Sequence, residues 1–291
     1  MADTPVFTAT VAAVNRPPRP PKPVQLDMLH QLLMTPGVDV DLPGGWHHDT
    51  PLCTAVKEGC LFVVNMLLAR GADSNKQCGT FKETAMHKAV YAYCTFEDKR
   101  SIIFELLAHN VDINAPTREG LTALHMACRN GDIHLLMLLL QLGANIHAIT
   151  TKGQTALMCA VWNKYEPEDA ATIVRLLVEY DADVLAVDSN NRTLLHTMVA
   201  CETMDNLPLA LFLIENGVQD DVDRGGVTAG DLAINDHPHV GVKFAEEIQR
   251  MFAEHRTRLL AFATGNRERG RHASLVIRGA HDWAPRSRQF R

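Results

Sequence analysis

Apolar residues recur every three or four positions along most of the chain, a spacing that predicts a series of short amphipathic helices. The clearest run has its apolar side chains at Ile133, Leu136, Leu139 and Leu140. Runs of this kind end at Gly71, Gly143 and Gly217, where the left-handed backbone conformation that closes a helix costs least. No pair of such short helices can bury its own apolar face, so we expect consecutive pairs to stack on one another.

A threonine marks the start of each predicted pair of helices. It recurs at spacings of 34, 38, 33, 38 and 35 residues, at Thr50, Thr84, Thr122, Thr155, Thr193 and Thr228. Threonine is a good helix N-cap, and Pro51 suits the first helical position after it. The best copy of the surrounding motif reads Thr122-Ala123-Leu124-His125, and a degenerate half-copy covers residues 26–41. One supersecondary unit is therefore predicted six times, with a further half-unit in front.

These copies resemble the ankyrin repeat, which has a period of about 33 residues and a Thr-Pro-Leu-His signature. The resemblance covers roughly residues 24–235. It implies an all-α ankyrin-repeat solenoid of about six to seven repeats, each a helix-turn-helix unit with a β-hairpin-like loop. Such arrays act as protein–protein interaction modules, so the resemblance also implies that the chain binds another protein.

In the ankyrin family the signature histidine hydrogen-bonds the signature threonine and neighbouring backbone. The resemblance therefore implies three structural pairs, which are Thr84 with His87, Thr122 with His125, and Thr193 with His196. A histidine held in this way is not free to act as a catalytic base. Cys53 and Met158 replace the histidine in two copies, and we expect those junctions to be less firmly tied.

Three segments lie outside the predicted array. Residues 1–23 are proline-rich and are expected to be disordered. Within them Pro17, Pro20 and Lys22 fit a pattern that SH3 domains bind, although a stiff linker explains the same residues. Residues 236–263 are predicted to form an amphipathic helix that caps the last repeat, with partner docking as the alternative. Residues 264–291 are arginine-rich and are predicted to be disordered.

Charge is distributed unequally along the chain. The formal net charge is −6, but residues 250–291 hold ten arginines against three acids, which gives +7 there and −13 for the remainder. A basic segment of this kind could bind nucleic acid or another acidic surface. Its charges are spread rather than clustered, which favours a solvated tail and makes nucleic-acid binding the weaker alternative.

The sequence contains no pattern typical of catalysis, metal binding or membrane insertion. It has neither a nucleophile elbow nor a P-loop, and no Cys or His spacing matches a zinc site. The seven cysteines are an odd number and are expected to be reduced in an intracellular protein. The first residues do not resemble a signal peptide, and no apolar run reaches the roughly 20 residues of a membrane helix. We therefore expect a monomeric, non-enzymatic protein of the cytoplasm or nucleus, with no cofactor and no metal.

The family resemblance also implies where a partner would bind. Ankyrin arrays bind through their hairpin tips and the exposed side of the first helices, which form a concave face. Counting from each signature threonine places on that face Trp46, His47, Lys57, Phe81, Tyr91, Arg118, Arg129, Trp162 and Arg192, with Tyr165 just beyond the counted positions. Aromatic residues are only 6% of the chain, so their concentration at these positions favours a protein interface. The alternative is that the rings pack on insertions in the repeats.

Those insertions are in the second and fourth full repeats, which are 38 residues long. Their extra residues follow the first helix, near residues 93–98 and 164–169. A longer turn there would either widen the binding face or be a tolerated surface loop. A separate family feature concerns Asn75 and Asn114, whose surroundings resemble those of asparaginyl-hydroxylation substrates.

The sequence thus predicts a non-enzymatic adaptor that binds a partner protein through the concave face of an ankyrin array. One alternative is the substrate-recognition subunit of a ubiquitin ligase, with residues 244–262 as a diverged adaptor-binding box. The other alternative is binding of nucleic acid or an acidic surface through the basic tail.

Overall fold

The computed structural model describes residues 5–13, 23–45, 47–162, 167–201, 206–236 and 238–267. Within these residues the chain forms fourteen α-helices, and its β-type hydrogen bonds are confined to short loops. The predicted SH3-binding motif at residues 17–22, Trp46, Tyr165 and most of the arginine-rich segment lie outside the described residues.

The helices follow one another as seven pairs, which we number as repeats 1 to 7. The first helices of the pairs are α1 (Pro5–Ala13), α3 (Pro51–Lys57), α5 (Ala85–Val90), α7 (Ala123–Asn130), α9 (Ala156–Val161), α11 (Leu194–Ala200) and α13 (Ala229–Asp236). The second helices are α2 (Pro23–Met34), α4 (Leu61–Ala69), α6 (Phe96–Ala108), α8 (Ile133–Gln141), α10 (Pro167–Glu179), α12 (Leu207–Glu215) and α14 (Pro238–Arg267). This arrangement is the all-α repeat fold that the sequence predicts.

The signature threonines cap the first helices. In repeat 4 the Thr122 N–H donates to His125 Nδ1 at 3.2 Å, and the Thr122 hydroxyl oxygen lies 2.9 Å from the same nitrogen. Repeats 3 and 6 have the same reciprocal cap. In repeat 2, where Cys53 replaces the histidine, only the simpler cap remains, in which the Thr50 hydroxyl accepts from the Cys53 N–H at 3.1 Å. Whether a cap is reciprocal therefore depends on the side chain three residues after the threonine.

The chain divides into two compact units, Met1–Asp183 and Val184–Arg291. In the first unit α3 packs between α1 and α5, α7 packs between α5 and α9, and the second helices stack in the order α2, α4, α6, α8. The fully buried side chains between these layers include Leu67, Ile103, Leu106, Leu136 and Leu139. In the second unit α11 packs on α12 and α13, and α14 packs on the same two helices. Each repeat buries its apolar face against a neighbour, as repeat architectures require.

Helix α1 corrects the expectation that residues 1–23 are disordered. It packs on α2 and α3 and buries Val6, Phe7, Ala9, Thr10 and Ala13. The sequence signal is a decayed signature, Thr4-Pro5-Val6-Phe7, which stands 46 residues before Thr50 instead of one family period before it. Phe7 takes the histidine position, and its ring lies where any Cβ on Gly44 or Gly45 would stand. Residues 26–41 are therefore the second half of a complete repeat.

The extra residues of repeat 3 lengthen its second helix instead of forming a projecting turn. Helix α6 has 13 residues, whereas α4 and α8 have 9 each. Thr95 caps α6, since its hydroxyl accepts from the Asp98 N–H at 3.2 Å. Just before this cap, the Tyr93 N–H donates to the Lys57 carbonyl of repeat 2 at 2.9 Å. Helix α10 of repeat 5 also has 13 residues, but the turn before it, residues 163–166, lies outside the described residues.

The last helix, α14, begins at Pro238, just inside the predicted start at residue 236, and extends past the predicted end at residue 263 to Arg267. Its apolar face is buried within the second unit through Phe244, Ile248, Met251 and Phe252. Gly241 lies so close to the Ala233 carbonyl that no Cβ would fit between them. Helix α14 therefore serves as the second helix of repeat 7, and this apolar face is already occupied.

Carboxylate and amide side chains join the loops that follow the second helices. Each accepts a hydrogen bond from a backbone N–H one repeat further on, in the pairs Asp41–Asp73 at 3.1 Å, Asn75–Asp112 at 2.7 Å and Asn114–Asn145 at 2.7 Å. Asn75 and Asn114 thus help to fix the spacing of repeats 2 to 4. Their hydroxylation stays a prediction.

Candidate interaction surface

Short hairpins precede the first helices, and backbone hydrogen bonds hold neighbouring hairpin tips in register. The Arg118 N–H of repeat 4 donates to the Phe81 carbonyl of repeat 3 at 2.7 Å. The Thr151 N–H of repeat 5 donates to the Glu119 carbonyl of repeat 4 at 2.9 Å. We define the recognition face as the hairpin tips of repeats 2 to 5 together with the exposed ends of their first helices. Because the tips are bonded to one another, this face is a preorganised surface and not a set of independent loops.

Most of the predicted site residues of the first unit lie exposed on the recognition face. The exposed ones are His47, Phe81, Tyr91, Arg118, Arg129 and Trp162, and Lys57 is half-buried. The residues Phe81, Tyr91 and Trp162 are 56%, 40% and 38% exposed, so packing between the repeats leaves part of each accessible to a partner. Exposed aromatic side chains next to arginines are typical of interface anchors. Trp46 and Tyr165 were predicted for this face but lie outside the described residues.

A cleft of about 200 Å³ lies on the recognition face between repeats 4 and 5. Its lining residues are Glu119, Leu121, Arg129, Thr150, Thr151, Lys152, Gln154, Cys159 and Trp162. It brings together Arg129 from the end of α7 and Trp162 from the end of α9, which the sequence placed on one face by counting alone. Thr150 and Cys159 were not predicted, because counting from the signature threonine marks exposed positions and both of these residues are buried.

The exposed charges of the recognition face are mainly positive, although the chain as a whole carries −6. Its exposed cations are Lys82, Arg118, Arg129 and Lys152, and none of them has an ion pair among the described residues. Glu119 is the one exposed acid among the described tips and first helices of repeats 2 to 5. The face therefore offers unsatisfied positive charge beside exposed rings, a combination that suits an acidic partner segment with apolar side chains.

Beneath this face a buried ion cluster joins repeats 2 and 3. Lys88 Nζ on α5 lies 3.0 Å from Asp49 Oδ1 and 2.7 Å from Glu83 Oε2. The three side chains are only 11%, 9% and 16% exposed. Burial acts to lower the pKa of Lys88, but the hydrogen bonds and charges of Glu83 and Asp49 outweigh it and raise the pKa. Lys88 is thus held as a cation and takes part in stacking rather than in partner binding.

Arg192, the remaining predicted site residue, lies in the second unit and has an internal partner. Its Nε atom is 3.5 Å from Asp223 Oδ2. Hydrogen bonds from the Val227 and Gly225 N–H groups, together with Arg192, lower the pKa of Asp223. The Arg192 guanidinium therefore helps to hold the hairpin of repeat 7 and is less available than the four unpaired cations of the first unit.

Two of the signature histidines, His87 and His125, are buried in a way that favours their neutral form. His87 is buried, with Nδ1 accepting from the Thr84 N–H at 3.0 Å and Nε2 lying 3.0 Å from the Leu121 carbonyl of repeat 4. Since a carbonyl can only accept, Nε2 carries the proton and donates it. Burial lowers the pKa of His87, and burial also lowers the pKa of His125. The His87 imidazole is hydrogen-bonded at both nitrogens, and the burial of both rings leaves them poorly placed for acid–base chemistry.

Acidification is expected to destabilise the first unit through these two histidines. Their pKa values are lower in the folded chain than the ordinary value of about 6.5, so below that pH the unfolded chain binds more protons. The two histidines therefore leave the free energy of unfolding at its full value above about pH 6.5. Below that pH the free energy of unfolding falls by up to about 1.4 kcal/mol per pH unit for each histidine. Urea unfolding at about pH 7.5 and pH 5.5 measures the effect. His87→Gln should reduce the difference in free energy of unfolding between the two pH values. A urea midpoint of the wild type that is the same at both pH values would contradict the prediction.

Among the described residues, no helix has the length and apolar content needed to cross a membrane. The same residues contain no group of three or more His, Cys, Asp or Glu arranged to hold a metal ion.

Family models for ankyrin repeats match two stretches of the sequence. A model of a single ankyrin repeat matches residues 47–78, and a model of three ankyrin repeats matches residues 86–188. The chain also resembles the crystal structure of the ankyrin repeat domain of Bcl-3, with a TM-score of 0.60 and 24% identity. That similarity covers 79% of this chain and 94% of the Bcl-3 chain, and it shows a shared fold.

Curated relatives share only part of their length with this chain. The B-cell lymphoma 3 protein homolog of Mus musculus is 30% identical over 172 residues, which are 58% of this chain and 36% of that protein. The tyrosine-protein kinase HTK16 of Hydra vulgaris is 34% identical over 98 residues, which are 33% of this chain and 12% of the kinase. This chain therefore spans well under two thirds of the length of each of these two relatives.

Proposed function

Because the chain is an ankyrin repeat protein, we propose that it binds a partner protein through the recognition face of repeats 2 to 5. The observation that carries the proposal is the cleft between repeats 4 and 5, which both Arg129 and Trp162 line. Arginine and tryptophan are the residue types that most often anchor protein interfaces. Phe81 and Tyr91 extend the same face towards repeat 3.

The partner segment is proposed to be acidic, with at least one apolar or aromatic side chain. The unpaired cations Lys82, Arg118, Arg129 and Lys152 would contact its carboxylates. Trp162 would cover its apolar side chain in the cleft. Charge complementarity of this kind mainly fixes the register and speeds association, while the rings contribute most of the affinity.

The test is a comparison of two triple variants with matched exposure. A partner captured by the full chain from native cell extract is purified, and its affinity for the wild type and each variant is measured by calorimetry. Tyr91→Ala/Arg129→Ala/Trp162→Ala removes anchors of the recognition face. Phe62→Ala/Phe104→Ala/Met137→Ala removes equally exposed side chains of the second helices α4, α6 and α8.

We expect the recognition-face variant to lose at least about 100-fold in affinity, since hot-spot anchors are worth roughly 2 kcal/mol each and do not add fully. The second-helix variant should bind within about twofold of the wild type. Circular dichroism of both variants checks that the array is intact. A partner released only by the second-helix variant would place recognition on the opposite side of the repeats and overturn the proposal.

We further propose that the chain has no catalytic activity of its own. Both ring nitrogens of the neutral His87 side chain are engaged in hydrogen bonds, which supports this proposal. A catalytic base needs a free lone pair that faces the substrate. The activity in the name of the Hydra vulgaris kinase belongs to a protein of which this chain covers 12%. It therefore gives no reason to expect kinase activity here.

Helix α14 argues against the ubiquitin-ligase alternative. An adaptor-binding box would have to present an apolar helix face to the adaptor. In α14 the side chains of Phe244, Ile248 and Phe252 are already buried within the second unit. The capture experiment tests this alternative. A ligase adaptor that binds the wild type and both variants equally would support the ubiquitin-ligase alternative.

A further inference from the structure

Two cysteines take the place of the histidine tie between repeats 2 and 3. Cys53 occupies the signature-histidine position on α3, and Cys78 lies in the hairpin of repeat 3. The Cys78 thiol donates to the Cys53 sulfur at an Sγ–Sγ distance of 2.8 Å, and both cysteines are free thiols. At the next junction the same place is taken by His87, whose Nε2 lies 3.0 Å from the Leu121 carbonyl. The sulfur contact therefore stands where a structural hydrogen bond normally joins two repeats.

We propose that Cys53 and Cys78 form a disulfide bond when the folded protein is exposed to hydrogen peroxide. A disulfide requires the two sulfurs to come to about 2.05 Å, so they need to approach by only about 0.8 Å. Cysteines this close inside a packed array need no rearrangement of the repeats to react with each other.

The reaction consumes one peroxide for each disulfide. One thiol, as its thiolate, attacks a peroxide oxygen and breaks the O–O bond, which gives a sulfenic acid and one water after protonation. The neighbouring thiol then loses its proton, attacks the sulfenic sulfur and displaces hydroxide, which leaves as a second water. Two thiols are oxidised, and the peroxide is reduced to two molecules of water. The adjacent sulfur intercepts the sulfenic acid before further peroxide can oxidise it.

The surroundings make this pair selective but slow. Cys53 and Cys78 are 1% and 4% exposed, so a small oxidant or a brief opening of the hairpin is needed. The hydrogen bond to Cys53 and burial raise the pKa of Cys78, which keeps its thiolate scarce at neutral pH. Cys60 and Cys94 are half-buried and more accessible, whereas the 2.8 Å sulfur–sulfur contact joins Cys53 to Cys78. Proximity rather than reactivity therefore selects the Cys53–Cys78 linkage.

The bond would fix part of the recognition face. Cys53 and Cys78 are 25 residues apart in sequence, and the bond would tie α3 to the hairpin that carries Phe81 and Lys82. A cross-link over a loop of this size restricts the unfolded chain and stabilises the fold. Oxidation should thus rigidify the junction of repeats 2 and 3 without altering the stacking.

The test is peroxide treatment of the folded full-length chain, followed by unfolding, alkylation and peptide mass mapping without reductant. We expect a cross-linked pair of peptides containing Cys53 and Cys78, lighter by two hydrogens than the reduced pair. The thermal unfolding midpoint should rise by a few degrees and return to its original value after treatment with dithiothreitol.

Single substitutions provide the controls. Cys53→Ala and Cys78→Ala should each abolish the peroxide-induced rise, whereas Cys128→Ala, at another buried thiol, should retain both the rise and the linkage. Mapping of the wild type alone decides the matter if a variant does not fold. The proposal is overturned if both cysteines remain open to alkylation after oxidation, or if they are found linked to Cys60, Cys94 or another chain.

Discussion

Gly120→Ala is expected to lower the free energy of unfolding of the first unit by about 2–5 kcal/mol. Gly120 has a φ of +78°, a left-handed conformation that costs a residue with a Cβ about 1–2 kcal/mol. An added Cβ would also stand 2.7 Å from the Thr151 nitrogen and 2.9 Å from the Thr150 Cα. These are backbone atoms of the next hairpin, so they cannot rotate away. Relieving the overlap would separate the tips of repeats 4 and 5, which the hydrogen bond from Thr151 to Glu119 joins.

Gly143→Ala is the matched control for this prediction. Gly143 has a similar φ of +87°, but a Cβ there would meet no atom within 4 Å. Its substitution should cost only the conformational term, about 1–2 kcal/mol. Urea unfolding followed by circular dichroism gives both values. Equal losses for the two variants would show that hairpin-to-hairpin packing contributes little, against the structure described above.

Lys88→Met is expected to lower the free energy of unfolding by about 3–5 kcal/mol. The substitution removes the cation but leaves Asp49 and Glu83 facing the same buried space, with side chains only 9% and 16% exposed. Unpaired buried carboxylates have to be protonated or hydrated at the expense of packing. Because Asp49 belongs to repeat 2 and Lys88 to repeat 3, the loss should weaken the junction between these repeats.

Removing the stranded charges should restore much of this stability. We expect Lys88→Met/Asp49→Asn/Glu83→Gln to be more stable than Lys88→Met alone, since a buried ion cluster contributes little net stability relative to uncharged replacements. Arg100→Met is the surface control, because the Arg100–Glu97 pair is 51% and 74% exposed and its loss should cost under about 1 kcal/mol. Urea unfolding of all three variants measures the differences. A triple variant no more stable than Lys88→Met would mean that the charges are not the cause.

The recurring units could be predicted from the sequence because their signals are local. The N-cap Thr122, the histidine three residues later and the helix-ending Gly143 each act within one or two helical turns. Repetition of the same signals made the stacking predictable as well. The positions of Arg129 and Trp162 on one face followed from that regularity, and the structure places both in one cleft.

Other features depend on contacts between distant residues and were missed. The sequence does not predict helix α1, because Phe7 replaces the signature histidine and a proline-rich segment lengthens the distance to the next signature. Its burial depends on the space beside Gly44, which no local pattern reports. The sequence predicts a longer turn from the extra residues of repeat 3. In the structure Thr95 caps α6 there, and the extra residues lengthen that helix. The ion cluster around Lys88 could not be predicted from local sequence patterns either, because its carboxylates come from two different repeats.

The most direct test of recognition through hairpin tips and first helices is a hydrogen-exchange footprint of the full chain with its captured partner. The account predicts slower exchange on binding in residues 77–83, 117–122 and 150–155, with little change in α4, α6 and α8. This pattern would place the partner on the recognition face without any substitution. Protection confined to the second helices or to α14 would contradict the account.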